Sequence, residues 1–282
     1  EIANPGATGA TVAIGLVPGL ERIHLDPDVF FLLFIPPLLY SDGWLMPKRE
    51  FRDAMRPVLL LAFGLVFATV VAVGYAMHAL IPALPLAAAF ALGAIVSPTD
   101  AVATAAMTAR LPMPPRVNAI LGGESLINDA SGLVAFKFAV AAVATGTFSI
   151  VSAGGELAWL AGGGLAVGFA CAWLIGALRV GLKRVCVDDP TIQTILSLLS
   201  PFAASLAAEG LGVSGILSVV AAGLYGGWHD ARYLSPATRQ HAWEVWAMLL
   251  FVFNGLVFLL LGVTLPGAIA SLAKTEPPAM LA

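Results

Sequence analysis

A succession of long apolar windows separated by short polar joints dominates the sequence. They fall at roughly 5–20, 29–46, 57–82, 86–109, 118–145, 157–178, 191–208, 213–228 and 243–263. About 20 apolar residues is the length a helix needs to cross the hydrocarbon core of a bilayer. Within lipid, every backbone N–H and C=O must find a partner inside the structure, and windows of this length achieve that as helices. The expected fold class is therefore all-α: a polytopic membrane protein with about nine transmembrane helices. Composition agrees, because only 11% of the 282 residues are charged and 59% are hydrophobic, with a mean hydropathy of +0.92. A water-soluble domain is about a quarter charged, and so few polar residues could not coat one.

The joints carry their charge unevenly. Lys48, Arg49, Arg52 and Arg56 lie in "MPKREFRDAMR", Arg110 and Arg116 in "ARLPMPPRV", Arg179, Lys183 and Arg184 in "RVGLKRVCVDDP", and Arg232 and Arg239 in "HDARYLSPATRQ". The intervening joints "IPALP", "TGTFSIVSAGGE" and "AEGLG" have none. Alternating basic and non-basic joints follow the positive-inside rule. The basic joints are expected on the cytoplasmic side, with residue 1 inside and the C-terminal tail outside. No basic patch points to nucleic acid. Cys171 and Cys186 lack metal or redox spacing, and His24, His78, His229 and His241 are scattered. No cofactor and no resident metal is expected. The first residues, "EIANPGATGATVAIGLVPGL", have no basic leader and read as a helix entered partway.

An ionisable group inside a span costs at least about 2.5–3.5 kcal/mol on insertion scales, so it needs a partner or a task. Two windows hold such groups near their middles. In 86–109 stands "SPTD". Pro98 has no backbone N–H, so the Ala94 carbonyl loses its helical partner and the helix is expected to break or kink. Thr99 and Asp100 add a hydroxyl, a carboxylate and further carbonyls at that point. Loosened backbone beside hard oxygen ligands suits a small cation; the plainer alternative is a kink whose Asp caps the second half-helix.

The window 118–145 holds "GGESLINDAS". Ser125 and Asp129 are spaced i, i+4 and share one helix face; Glu124 and Asn128 share the neighbouring face. The first pair offers a hydroxyl and a carboxylate to a cation. The second pair equally suits a hydrogen bond that locks helices together. Lys137, eight residues past Asp129, either snorkels to the interface or pairs with an acid elsewhere. In "IPPLLYSDGW", Asp42 sits either in a cytoplasm-facing funnel or at a chain reversal, and Trp44 suits the interfacial aromatic belt.

Three segments, "FIPPLLYSDGW", "GAIVSPTDAVA" and "GGESLINDASGLV", in this order, resemble the monovalent cation:proton antiporters. The branch is that of sodium/proton exchangers with an Asn-Asp pair on the ion-binding helix. "LSPATR" followed by "NGLVFLLLGVTLP" is similar to a later segment of bacterial members. The resemblance implies an inverted-repeat fold with a Pro-broken helix and electroneutral exchange of Na⁺ (or K⁺ or Li⁺) against H⁺. It implies Asp129 as the ion-binding carboxylate, Ser125 as its hydroxyl neighbour, Thr99 as a backbone carbonyl facing the ion and Asp100 acting through water. Asn128, Glu124 and Pro98 support the site, with Glu124 bonding Asn128 and an arginine on a later helix. Many relatives carry a glutamate where Ser41 stands. Asp42 follows one residue on, so Ser41 and Asp42 are the candidates for a cation-access funnel.

Residues 1–282 are expected to form a single transmembrane antiporter domain, incomplete at both ends, that lacks the family's first and last helices and the Glu124 arginine. The expected setting is the inner (plasma) membrane, as a homodimer by resemblance. The alternatives are a non-transporting fragment of such an antiporter and a cation channel. An enzyme is not expected: two aspartates on separate spans would suit an aspartyl hydrolase, but neither sits in a Gly-x-Gly-Asp context.

Overall fold

The computed structural model describes residues 27–99, 114–145, 150–184 and 189–275, and among them every regular element is helical. In order these are α1 (Pro27–Leu45), α2 (Lys48–Leu59), a π-helical turn (Leu60–Leu65), α3 (Val66–Leu80), α4 (Leu86–Val96), α5 (Pro115–Thr145), α6 (Ile150–Arg184), α7 (Pro190–Gly210), α8 (Gly215–Tyr233) and α9 (Pro236–Thr275). The all-α expectation holds. Five stretches among the described residues are long and apolar enough to cross a membrane: Lys48–Leu80, Arg116–Ala144, Trp159–Arg184, Pro190–Gly210 and Pro236–Thr264. The first expected window, 5–20, lies outside the described residues, so the total of nine is not established. Large apolar side chains such as Leu60 (74% exposed) and Phe251 (66%) point outward, the reverse of a water-soluble domain and the pattern lipid requires.

The chain divides into two compact units, one containing residues up to Phe34 and from Glu244 onward, the other Ile35–Trp243. In the first, the Phe34 and Phe253 rings meet edge-on at 5.2 Å. In the second, α5 packs against α2, the π-helical turn, α3 and α4, while α6, α7 and α8 pack on one another and α8 also reaches α5.

Local sequence explains these helices. The basic joint expected at residues 46–56 folds instead as α2, because its apolar residues recur at helical spacing: Phe51, Ala54 and Val58 are buried while Lys48, Arg49, Arg52 and Arg56 stay exposed. One turn after Pro57 the helix widens into the π-helical turn. Asp189 caps α7 by accepting the Thr191 N–H at 2.6 Å. The short joint between α7 and α8 closes on Gly212 at φ +70°, with Val213 N–H returning to the Ala208 carbonyl at 2.9 Å. The Ser214 side chain then accepts the Leu217 N–H and starts α8.

Helices α1 and α8 approach closely because two glycines one turn apart allow it. A Cβ on Gly223 would collide with the Tyr40 carbonyl oxygen, and one on Gly227 with that of Trp44. Small residues at this spacing let backbones meet where no water-driven force presses helices together.

Candidate functional site

Helix α4 stops at Val96, and Ser97 and Pro98 follow. The carbonyl that Pro98 leaves without a helical donor is Ala94 O, and the Ser97 hydroxyl supplies that donor at 3.0 Å. Thr99 is thereby carried off the helix path toward α5. A glycine on α5 makes the contact possible: a Cβ on Gly132 would lie 2.7 Å from Pro98 Cγ. On its other side α5 is gripped at the π-helical turn, where Ser131 Oγ donates to the Ala62 carbonyl at 3.0 Å. Such turns disrupt the regular backbone ladder, and they recur at functional sites.

Four of the expected residues converge here. Thr99 Oγ1 donates to the Glu124 carboxylate, 3.0 Å from both Oε1 and Oε2. Asn128 Nδ2 donates to Glu124 Oε1 at 2.8 Å and to Thr99 Oγ1 at 3.0 Å. Ser125 Oγ donates to the Thr99 carbonyl at 3.3 Å. Glu124, Ser125 and Asn128 are buried (8%, 4% and 0% exposed). Asn128 Oδ1 is buried with no hydrogen-bond partner among the described residues. Asp129 is half-buried one turn beyond Ser125, and Pro98 is likewise half-buried. Asp100 lies outside the described residues. The Glu124–Asn128 face and the Ser125–Asp129 face of α5 therefore both border the broken end of α4.

The remaining sequence candidates sit elsewhere. On α1, Ser41 is fully buried and donates to the Leu38 carbonyl at 2.7 Å, whereas Asp42 is exposed. Lys137 is exposed on α5. Among the described residues no three His, Cys, Asp or Glu side chains cluster as a metal site.

A second polar centre has no counterpart among the sequence expectations. Arg179, expected in a cytoplasmic joint, belongs to α6, which continues to Arg184; Asp230, also expected in a joint, belongs to α8. The two form an ion pair at 2.7 Å with side chains only 4% and 7% exposed. The indole N–H of Trp44 donates to the other carboxylate oxygen, so Trp44 tethers α1 here instead of serving only as a belt residue. The pair itself, with Tyr40, Ser200 and Tyr233, lines a small, partly open cavity. The sequence offers one signal: both charges stand next to small-residue segments, "LIGALR" and "YGGWHD", that bring helices together.

Fold and site together define a multi-pass helical membrane protein with a polar centre at a broken helix. Comparison with known proteins makes the class specific. The family model described as "Sodium/hydrogen exchanger, transmembrane" matches residues 6–282, and the chain belongs to that family. It is 46% identical over 92% of its length to a "Sodium, potassium, lithium and rubidium/H(+) antiporter" of Bacillus pumilus, of which it covers 39%. It is 48% identical over 87% of its length to an "Uncharacterized Na(+)/H(+) exchanger YjcE" of Escherichia coli, covering 45% of that protein. Its fold is similar to that of MjNhaP1, a sodium proton antiporter from Methanocaldococcus jannaschii, with TM-score 0.63 at 19% identity over 92% of this chain and 69% of the other. The chain thus spans less than half the length of these curated relatives.

Proposed function

We propose that the protein to which this chain belongs exchanges a monovalent cation, Na⁺ or else K⁺ or Li⁺, for H⁺. One carboxylate, Asp129, binds either a proton or the cation but never both, and exchange is electroneutral. Competition for a single site is enough to couple the two fluxes. The observation that carries this reading is the junction of Ser125 with the Thr99 carbonyl. It sets a hydroxyl against a backbone carbonyl just past the end of α4, and the Asp129 carboxylate follows one turn on along α5. Glu124 and Asn128 hold that junction through Thr99, and Asp100 acts through water. The names of the bacterial relatives support the cation and the proton as substrates. In this reading residues 1–282 belong to a single transmembrane domain, homodimeric in the plasma membrane, with the N-terminal end cytoplasmic.

The test is Asp129→Asn in the full-length protein, reconstituted in liposomes with an internal pH dye. Na⁺-driven proton flux should vanish, while the variant remains folded by gel filtration. Persisting Na⁺-driven flux would refute the assignment.

A further inference from the structure

Away from the α4–α5 junction, the ends of α1 and α8 and the starts of α2 and α9 enclose an open cleft of about 810 Å³. Its charged and polar lining is Lys48, Arg239, Gln240 and the edge of Asp230, and its aromatic lining is Trp44 and Trp243. Asp230 attracts Lys48, but Arg179 holds one of its oxygens and the Trp44 indole the other, so Arg179, Lys48 and Arg239 together outnumber this one acid. Lys48 feels the Asp230 charge and, opposing it more weakly, the Arg239 charge across the cleft. Neither Lys48 nor Arg239 forms an ion pair among the described residues. Both cations, moreover, occupy the first turn of a helix, where the helix dipole favours acids. The α2 terminus adds its own unsatisfied donors: Pro47 precedes it and no side chain caps it. Positive charge is thus gathered at the cost of local preference, in a space rimmed by tryptophans. A basic pocket between helix ends at a membrane surface suits an acidic headgroup, and tryptophan suits the same depth.

We propose that this cleft binds a phosphate-bearing anion, with Lys48 and Arg239 as its charge partners and Trp44 and Trp243 as its walls. In the orientation that the positive-inside rule favours, the cleft faces the cytoplasm, where acidic phospholipid is one source of such a group and soluble phosphate the other. The site is separate from the exchange site, so the proposal stands whether or not Asp129 carries exchange.

The test is native mass spectrometry of the full-length protein in detergent, titrated with phosphatidylglycerol, phosphatidylcholine or inorganic phosphate. Phosphatidylglycerol should bind more tightly than phosphatidylcholine. Lys48→Gln combined with Arg239→Gln should weaken it about 30-fold, or about fivefold to sixfold per cation. Lys48→Arg with Arg239→Lys should retain binding, and Lys137→Gln should leave it unchanged. Binding of inorganic phosphate that the double variant loses, with no preference between the lipids, would identify a soluble occupant of the same site. Equal affinities of wild type and double variant for phosphatidylglycerol and for phosphate would overturn the proposal. Should the double variant fail to fold, the two single variants decide on the same criterion.

Discussion

Removing either partner of the Arg179–Asp230 pair is the most direct test of how the second unit is held together. At 2.7 Å the pair's gross attraction is about 6 kcal/mol for an effective dielectric near 20. Taking each ion out of water costs several kcal/mol, so the net worth of the intact pair lies near zero. A single substitution is different, because it leaves one charge buried with its desolvation uncompensated. Asp230→Leu strands the Arg179 guanidinium at 4% exposure and removes the acceptor of the Trp44 indole; the expected loss is about 3–5 kcal/mol. For a domain of this size each kcal/mol shifts Tm by about 2–4 °C, so the full-length protein in detergent should melt about 6–20 °C lower. Arg179→Met should have a similar effect. The double variant should recover most of the loss, because neither charge is then stranded. Thermal unfolding followed by tryptophan fluorescence and by gel filtration checks this. If Asp230→Leu melts within about 2 °C of wild type, or the double variant is as unstable as the worse single variant, the pair is not what joins α6 to α8.

Three further outcomes follow from the local geometry. Gly132→Ala places a methyl 2.7 Å from Pro98 Cγ and should destabilise by about 1–3 kcal/mol, with exchange lost before global stability; normal exchange kinetics would show that Pro98 does not need this contact. Ser125→Ala should raise the KM for Na⁺ about tenfold while lowering Tm by only about 2–4 °C, the loss of one hydrogen bond to the Thr99 carbonyl, with KM read from initial rates in liposomes; an unchanged KM would remove Ser125 from the ligand set. Asp189 is held below the usual carboxylate range mainly by the Thr191 backbone N–H. A lowered folded-state pKa means that its stabilising effect is complete above the unfolded value near 4 and fades as pH falls through the folded one. The Tm difference between wild type and Asp189→Asn should therefore be present at about pH 6 and shrink below about pH 4; a pH-independent difference would refute this.

The parts of the structure that are legible in sequence are those written in short-range pattern. Apolar length marks out the helices, and a missing N–H at Pro98 announces the end of α4. Spacing of i, i+4 sorts Glu124 and Asn128 from Ser125 and Asp129. What escapes depends on distant segments. Ser97 as the donor that rescues Ala94, and Ser131 as the donor to Ala62, each require knowing where a carbonyl is left open. The Arg179–Asp230 pair joins residues 51 positions apart. Read alone, each charge near the end of an apolar window looks like a topological marker, since the positive-inside rule counts charges without asking whether they are buried. The joint at 46–56 misleads for a related reason: its charges suggest a loop, while the spacing of Phe51, Ala54 and Val58 encodes an amphipathic helix.

Three acidic residues stand inside the described apolar helices at the two polar centres, and their surroundings differ in a way that bears on which can alternate between proton and cation. Asp230 is 5% exposed, with one oxygen on a guanidinium and the other on an indole N–H. A cation arriving there would have to displace Arg179, and the displaced charge would remain buried. Glu124 is 8% exposed, and both its oxygens accept from Thr99 while one also accepts from Asn128. Loading an ion there would dismantle the bonds that hold Thr99 against α5. Asp129 is only half-buried, and the Ser125 hydroxyl and Thr99 carbonyl lie one turn away. In the exchange proposed above, the carboxylate meets water on one half-cycle and a dehydrated ion on the other, and that intermediate position suits it, because full burial bars the proton's exchange with water and full exposure forgoes the protein's oxygen ligands. The division of labour that follows is specific: Asp129→Glu, which keeps the charge but moves it by one methylene, should retain some exchange with altered cation preference in the liposome assay, whereas Glu124→Asp should shorten the reach to Thr99 and impair folding and exchange together.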